Sequence, residues 1–250
     1  MSQLPCMVFS GTGGLIMMCV LGVITVVGYI TIYMYCRFVL YTERRHPKVF
    51  FFDLLKILLA GVVAAAMNYT FTAKVSLAAE HVLIKKRPLE GVGWYIAICT
   101  LDAVVGAPLA ICFGKLVNYG SAALLPRLRA DTALYELCLQ NATYGKYGEL
   151  HRGERSYITE RPPVKWSWWY SQTVTWTLCN VLSGFICGLL VLYSFAYVKM
   201  IFNPIAWIAI CISYWNISCL LKQWVVVSLG RVVLSFLSIS IIDLFNKFTP

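Results

Sequence analysis

Five apolar stretches, each about the length needed to cross a bilayer, run through the chain near residues 13–35, 50–72, 94–118, 168–197 and 205–229. Inside a bilayer every backbone polar group has to be satisfied within the protein, so such stretches fold as helices or as strands of a closed barrel. These runs are continuous rather than alternating and are twice the length of a barrel strand, which selects helices. The expected fold is therefore all-α, a polytopic transmembrane bundle of five spans. Of the 250 residues, 60% are apolar and 13% charged, with a mean hydropathy of +0.73. That balance excludes a large soluble catalytic domain.

Around this 13–229 core lie a short N-terminal segment, 1–12, a connecting loop, 120–165, and an apolar tail, 230–250, dotted with Ser235, Ser238, Asp243 and Asn246. The tail reads as a possible sixth, interfacial helix. Residues 1–10 contain no Lys or Arg, so the first run reads as a retained span rather than a cleaved signal. Pro108 inside the third run predicts a kink, and Gly184 and Gly188 in the fourth form a GxxxG face for close packing against another helix. No repeat at a fixed period is visible, and the odd span number argues against a simple inverted-repeat transporter.

The formal charge of +10 would suggest nucleic acid on a soluble protein, but here the basic residues collect between spans, and no nucleic-acid partner is expected. Arg37, Arg44, Arg45, Lys48, Arg127, Arg129, Lys146, Arg152, Arg155, Arg161, Lys165, Arg231 and Lys247 fall on one side of a five-span topology. The other side has Lys74, Lys85, Lys86, Arg87 and Lys199. The bias predicts a lumenal N-terminus and a cytoplasmic C-terminus and 120–165 loop. Three sequons, at Asn68, Asn141 and Asn216, read as chance tripeptides, with Asn68 and Asn216 in or against the membrane. Of the ten cysteines, Cys19, Cys99, Cys112, Cys179, Cys187, Cys211 and Cys219 lie in apolar runs and read as small buried hydrophobes, while Cys36 at the end of the first span is either inert or a lipidation site.

Ionisable groups within spans are expensive and so are functional candidates. Asp53 and Lys56, spaced i,i+3, share a face of the second span, as a depth-fixing ion pair or as a functional couple. Asp102 sits deep in the third span, either hydrogen-bonded to a neighbouring helix or forming a cation or proton site. Lys115 and Lys222 either snorkel to the headgroups or join Lys56 in a basic vestibule for an anionic headgroup. His46, His81 and His151 form no metal-ligand pattern, and Asp53 and Asp102 lack a Gly-x-Gly-Asp setting. No catalytic residue, metal or cofactor is expected, and the chain reads as a non-enzyme.

The ordered set Phe52-Asp53-Leu54-Leu55-Lys56, Asn68, Tyr95, Leu101-Asp102-Ala103-Val104-Val105-Gly106, Tyr144-Gly145-Lys146-Tyr147-Gly148, Trp169, Gln172 and Asn203-Pro204 resembles the STIMATE family of multispan membrane proteins of the endoplasmic reticulum and the fungal vacuole. The resemblance covers about residues 44–220. It implies a non-enzymatic scaffold or regulator which, in animals, supports STIM calcium sensors at membrane contact sites and so promotes store-operated calcium entry. A STIM-like sensor or another membrane protein is the implied partner, alongside the bilayer, in the reticulum or alternatively the vacuolar membrane. Carried onto this chain, the implied polar positions are Asp53, Lys56, Asn68, Asp102 and Gln172, with Tyr144, Gly145, Tyr147 and Gly148 as a cytoplasmic loop motif. The chain departs from animal members in having Ile57 where they carry Gln, and Ser183-Gly184 where they carry an acidic-basic pair. Animal members also have a long charged cytoplasmic tail, so a contact made through it is not implied here. The alternative from another class is a small transporter or lipid-binding membrane protein that uses Asp102.

Overall fold

The computed structural model describes residues 6, 11–41, 47–79, 83–84, 87–143, 147, 165–197 and 203–247. Helices dominate: α1 (Gly11–Phe38), α2 (Pro47–Ala79), α3 (Gly91–Leu101), α4 (Ala107–Leu124), α5 (Ala133–Ala142), α6 (Trp166–Tyr197), α7 (Pro204–Ser213), α8 (Cys219–Lys222) and α9 (Arg231–Lys247). Between α3 and α4 lies a π-helical turn, Asp102–Gly106, and a longer π-helical segment, Gln223–Gly230, joins α8 to α9.

Five segments are long and apolar enough to span a membrane: Cys19–Phe38, Pro47–Val75, Gly91–Arg127, Trp166–Ser194 and Cys219–Ile242. Four overlay the expected runs. The fifth is displaced from 205–229, because the apolar stretch after Asn203 is two helices and not one. The Asn203 side chain starts α7 by accepting from the backbone N–H groups of Ile205 at 3.0 Å and Ala206 at 3.4 Å, while Ser218 caps α8 by accepting from Leu221 N at 3.4 Å. Ten residues of α7 cover about 15 Å, half the hydrocarbon thickness, so α7 cannot cross. In the described part of the 230–250 region, Arg231–Ile242 belongs to the fifth apolar segment and forms its second half, in place of a separate tail helix there. Arg231 belongs inside that span and leaves the count of loop cations. Asn216 lies exposed in the break between α7 and α8, not within a span.

The core forms where small residues let backbones approach. α7 lies along α3, with Ala206 and Ala209 fully buried; a Cβ on Gly93 would meet the Ala209 carbonyl oxygen at 2.6 Å. The GxxxG face of α6 packs on α2: a Cβ at Gly184 would meet the Met67 thioether methyl at 3.6 Å, and one at Gly188 would run into the Phe71 ring. α1 is the outlying helix. It is held near its Arg37 end by stacking of Tyr33 on Phe50, ring centroids 3.7 Å apart, and by the Phe236 ring under Gly28.

Helix alternation puts Cys6 and the starts of α3 and α8 at one end of the bundle, and the starts of α2 and α6 at the other. Cys6 and Cys219 form a disulfide at the first end, so Cys219 is a covalent staple rather than a buried hydrophobe. Cys99, Cys179 and Cys187 are buried as expected, whereas Cys19, Cys112 and Cys211 lie on the outer surface.

Candidate functional site

Two turns into α2, the i,i+3 spacing brings Lys56 Nζ within 3.6 Å of Asp53 Oδ1, with both side chains buried. An unaccompanied pair at this depth would leave lone pairs and protons unmet. Tyr147, from the loop after α5, supplies the missing partner. Its hydroxyl donates to Asp53 Oδ1 and accepts from Lys56 Nζ at 3.1 Å, and its ring centroid lies 5.5 Å from that nitrogen. The resulting knot is sealed by aromatic rings. Phe52 touches Tyr147, Trp166 and Trp169, and the Trp169 indole N–H donates to the Phe52 carbonyl at 3.0 Å.

Gln172, fully buried on α6, anchors the other side of the loop by donating to the carbonyls of Gln140 at 2.9 Å and Thr143 at 3.4 Å. Asn118 donates to the Ala142 carbonyl at 3.3 Å, and Lys165 N donates to the Tyr147 carbonyl at 2.7 Å. Side chains from α2, α4 and α6 thereby lash the end of α5 and Tyr147 to the bundle. Of the loop motif, Tyr144, Gly145 and Gly148 lie outside the described residues.

Asn68 is twelve to fifteen residues farther along α2 than this knot, about 22 Å from Asp53 along the axis. There its Nδ2 donates to Asp102 Oδ2 at 3.0 Å. Asp53 and Asp102 therefore occupy separate sites and form no acid pair. The expected kink at Pro108 takes another form. Pro108 has no N–H for the Val104 carbonyl, and the helix widens into the Asp102–Gly106 π turn just before it, with Ala107 N–H donating to the Asp102 carbonyl five residues back. Ser183 of α6 donates to the Gly106 carbonyl at 2.5 Å and so joins α6 to this turn.

The basic vestibule is not assembled. Lys222 stands at the opposite end of the bundle from Lys56, because the fifth span begins at Cys219 rather than near 205. Its Nζ lies 2.8 Å from Glu90 Oε2 and 2.9 Å from Oε1 and donates to the Ser213 carbonyl at 3.1 Å, while Glu90 N donates to Ser213 Oγ at 3.0 Å. Lys115 is half-buried on α4. Sequence reasoning missed Glu90, Cys6 and the intramembrane place of Arg231. The signal for Glu90 was a lone acid immediately before a span; Arg231 was a lone cation between two apolar stretches.

The arrangement thus contains a closed polar knot at one end, a Glu90–Lys222 clasp beside a disulfide at the other, and an Asp102–Asn68 pair between them. No protein-family model, curated protein or solved structure matches this chain.

Proposed function

We propose that this membrane protein is a non-enzymatic scaffold or regulator of an internal membrane, working in the STIMATE manner to promote store-operated calcium entry through a STIM-like sensor. The carrying observation is that three separate motifs of the resemblance meet at one end of the bundle: Tyr147 closes a buried knot with Asp53 and Lys56, and Gln172 holds the end of α5 beside it. Both charges of the knot are met by the chain's own side chains, which suits a tie and not a substrate site.

In this reading the knot end faces the cytoplasm and the Cys6–Cys219 end faces the lumen. The disulfide supports that sidedness, since such bonds persist in oxidising compartments, and so does the excess of Lys and Arg in the loops at the knot end. The reticulum is the proposed membrane, with the vacuolar membrane as the alternative. Lipid binding or transport centred on Asp102 is a second reading, favoured by the cavity on which that residue opens.

Calcium entry after store depletion, measured in animal cells lacking their own family member and expressing this chain, tests the proposal. Rescue that is lost in Lys56→Met is the expected result. Correct reticulum localisation without rescue would overturn the calcium role.

A further inference from the structure

A cavity of about 470 Å³ lies between α1, α2, the Asp102 turn and the fifth span. This is the size range of small-molecule sites. Its polar end is made by Asn68, Asp102, Asn180 and Arg231. Asp102 lies eleven residues from the start of α3 and Arg231 twelve from the start of α8, depths of about 16 and 18 Å from the same end of the bundle. An acidic and a basic side chain therefore line one cavity near mid-membrane, and among the described residues they form no ion pair with each other. Asn68 serves Asp102 Oδ2, and no described residue donates to Oδ1. The Arg231 guanidinium rests over the Tyr95 ring, 5.6 Å from its centroid, and its buried Nη1 has no acceptor among the described residues. A guanidinium in this position is costly unless something accepts from it.

From that polar end the cavity continues along walls that are mostly apolar, with the hydroxyl groups of Thr25, Ser235 and Ser238 among them. It runs beside α2 from Asn68 to Ile57 and beside the fifth span from Arg231 to Ile242, eleven residues in each case, or about 16 Å. That is roughly half the hydrocarbon core, the reach of one lipid chain or of a fused-ring body. Cβ atoms placed on Gly22 of α1 and Gly61 of α2 would meet nothing within 4 Å, so both glycines border open space. The described contacts of α1 with the bundle include Tyr33 on Phe50 and Phe236 under Gly28, farther toward its other end.

We propose that this cavity binds a neutral lipid whose head is a hydroxyl group. The choice follows from the donors and acceptors on offer. An anionic head has no proton for Asp102 Oδ1, and a cationic head would confront Arg231. A hydroxyl both donates and accepts, so it can donate to Asp102 Oδ1 and accept from the part of the Arg231 guanidinium that lines the cavity, adding no charge to a low-dielectric site. The mostly apolar walls take the remainder of the molecule. The inference is independent of the calcium proposal and involves residues remote from the Tyr147 knot.

The shared hydroxyl chemistry belongs to sterols and to diacylglycerols, and labelling of the full chain in reconstituted bilayers separates them. Three diazirine probes are compared: a sterol, a diacylglycerol and a fatty acid, each with its unlabelled counterpart as competitor. One of the two neutral probes is expected to label α1, α2 or the fifth span saturably, which identifies the source. Gly61→Leu adds a side chain at the cavity lining where a Cβ meets nothing within 4 Å, and should lower that labelling with an unchanged thermal midpoint. Arg231→Gln should weaken it roughly tenfold, as expected for loss of a charged hydrogen bond. Absence of saturable labelling by both neutral probes, stronger labelling by the fatty acid, or labelling untouched by Gly61→Leu in folded protein would each overturn the proposal.

Discussion

Lys222 Nζ lies 2.8 Å from Glu90 Oε2, joining the start of the fifth span to the residue that precedes α3. The pair is largely buried and shares Ser213, the last residue of α7, as a common hydrogen-bond partner. One lysine therefore fixes α3, α7 and α8 together at the end of the bundle remote from Lys56. At that other end the same physical problem, an ammonium group withdrawn from water, is solved with a carboxylate and a phenol. Lys222 takes its counter-charge from a segment distant in sequence, while Lys56 takes it from Asp53 on its own helix and a neutral hydroxyl from distant Tyr147, so each desolvated cation ties separate segments together.

Lys222→Met is expected to destabilise the bundle by about 2–3 kcal/mol, since it removes a charge-assisted bidentate contact and leaves Glu90 without its cation. The double variant Glu90→Leu/Lys222→Met should recover part of that loss. Thermal unfolding in detergent of the two single variants and the double one gives the coupling. Additive effects would mean that the pair contributes no net interaction.

Tyr147→Phe keeps the ring against Phe52 but deletes the hydroxyl between Asp53 and Lys56. A loss of about 1.5–3 kcal/mol follows from a hydrogen bond to charged partners. Because the hydroxyl is the tie between loop and α2, cleavage after α5 by a soluble protease should quicken in this variant before global unfolding. Equal cleavage rates in the parent and the variant would show that the tie does not hold the loop.

The two glycines of α6 should behave differently although they belong to one motif. Gly184→Ala places its methyl group at ordinary contact distance from Met67 and should be nearly neutral. Gly188→Ala drives its methyl group into the Phe71 ring and should cost about 1–3 kcal/mol, as overpacking does. Phe71→Leu in the Gly188→Ala background should restore stability. The measurement is again the thermal midpoint, and a similar loss from both alanines would contradict the α2–α6 packing.

The bundle's spans were legible because length and apolarity are properties of each segment alone, and 50–72 and 168–197 needed only small changes at their ends. The break between α7 and α8 was not, since it depends on Asn203 and Ser218 capping two helices within one apolar stretch that hydropathy averages together. That displacement misplaced Lys222 and Arg231 in turn: a shift of the span start moved one lysine to the opposite membrane end and one arginine from the tail to mid-membrane. The i,i+3 pairing of Asp53 and Lys56 followed from helix geometry, whereas the placing of Tyr147 between them is a contact over more than 90 residues that no local pattern encodes. Pro108 signalled an irregularity, but neither its form as a π turn nor the Ser183 hydroxyl that reaches its Gly106 carbonyl from another helix is encoded by a local pattern.

The Cys6–Cys219 disulfide offers the sharpest test of sidedness and of the displaced fifth span together. The bond requires Cys219 to stand at the same membrane end as the N-terminal segment. In a fifth span at 205–229, Cys219 would lie near mid-bilayer, out of reach of oxidising partners. Denatured, unreduced protein should therefore expose eight of its ten cysteines to a maleimide mass tag, the eight that are free in the structure, and all ten after reduction. Cys6→Ser and Cys219→Ser should each show nine tagged thiols, because either change releases the other cysteine. Closing so long a loop restricts the unfolded chain, and reduction should lower stability by about 2–4 kcal/mol. Ten tagged thiols without reduction would remove both the staple and the principal support for a lumenal N-terminal end.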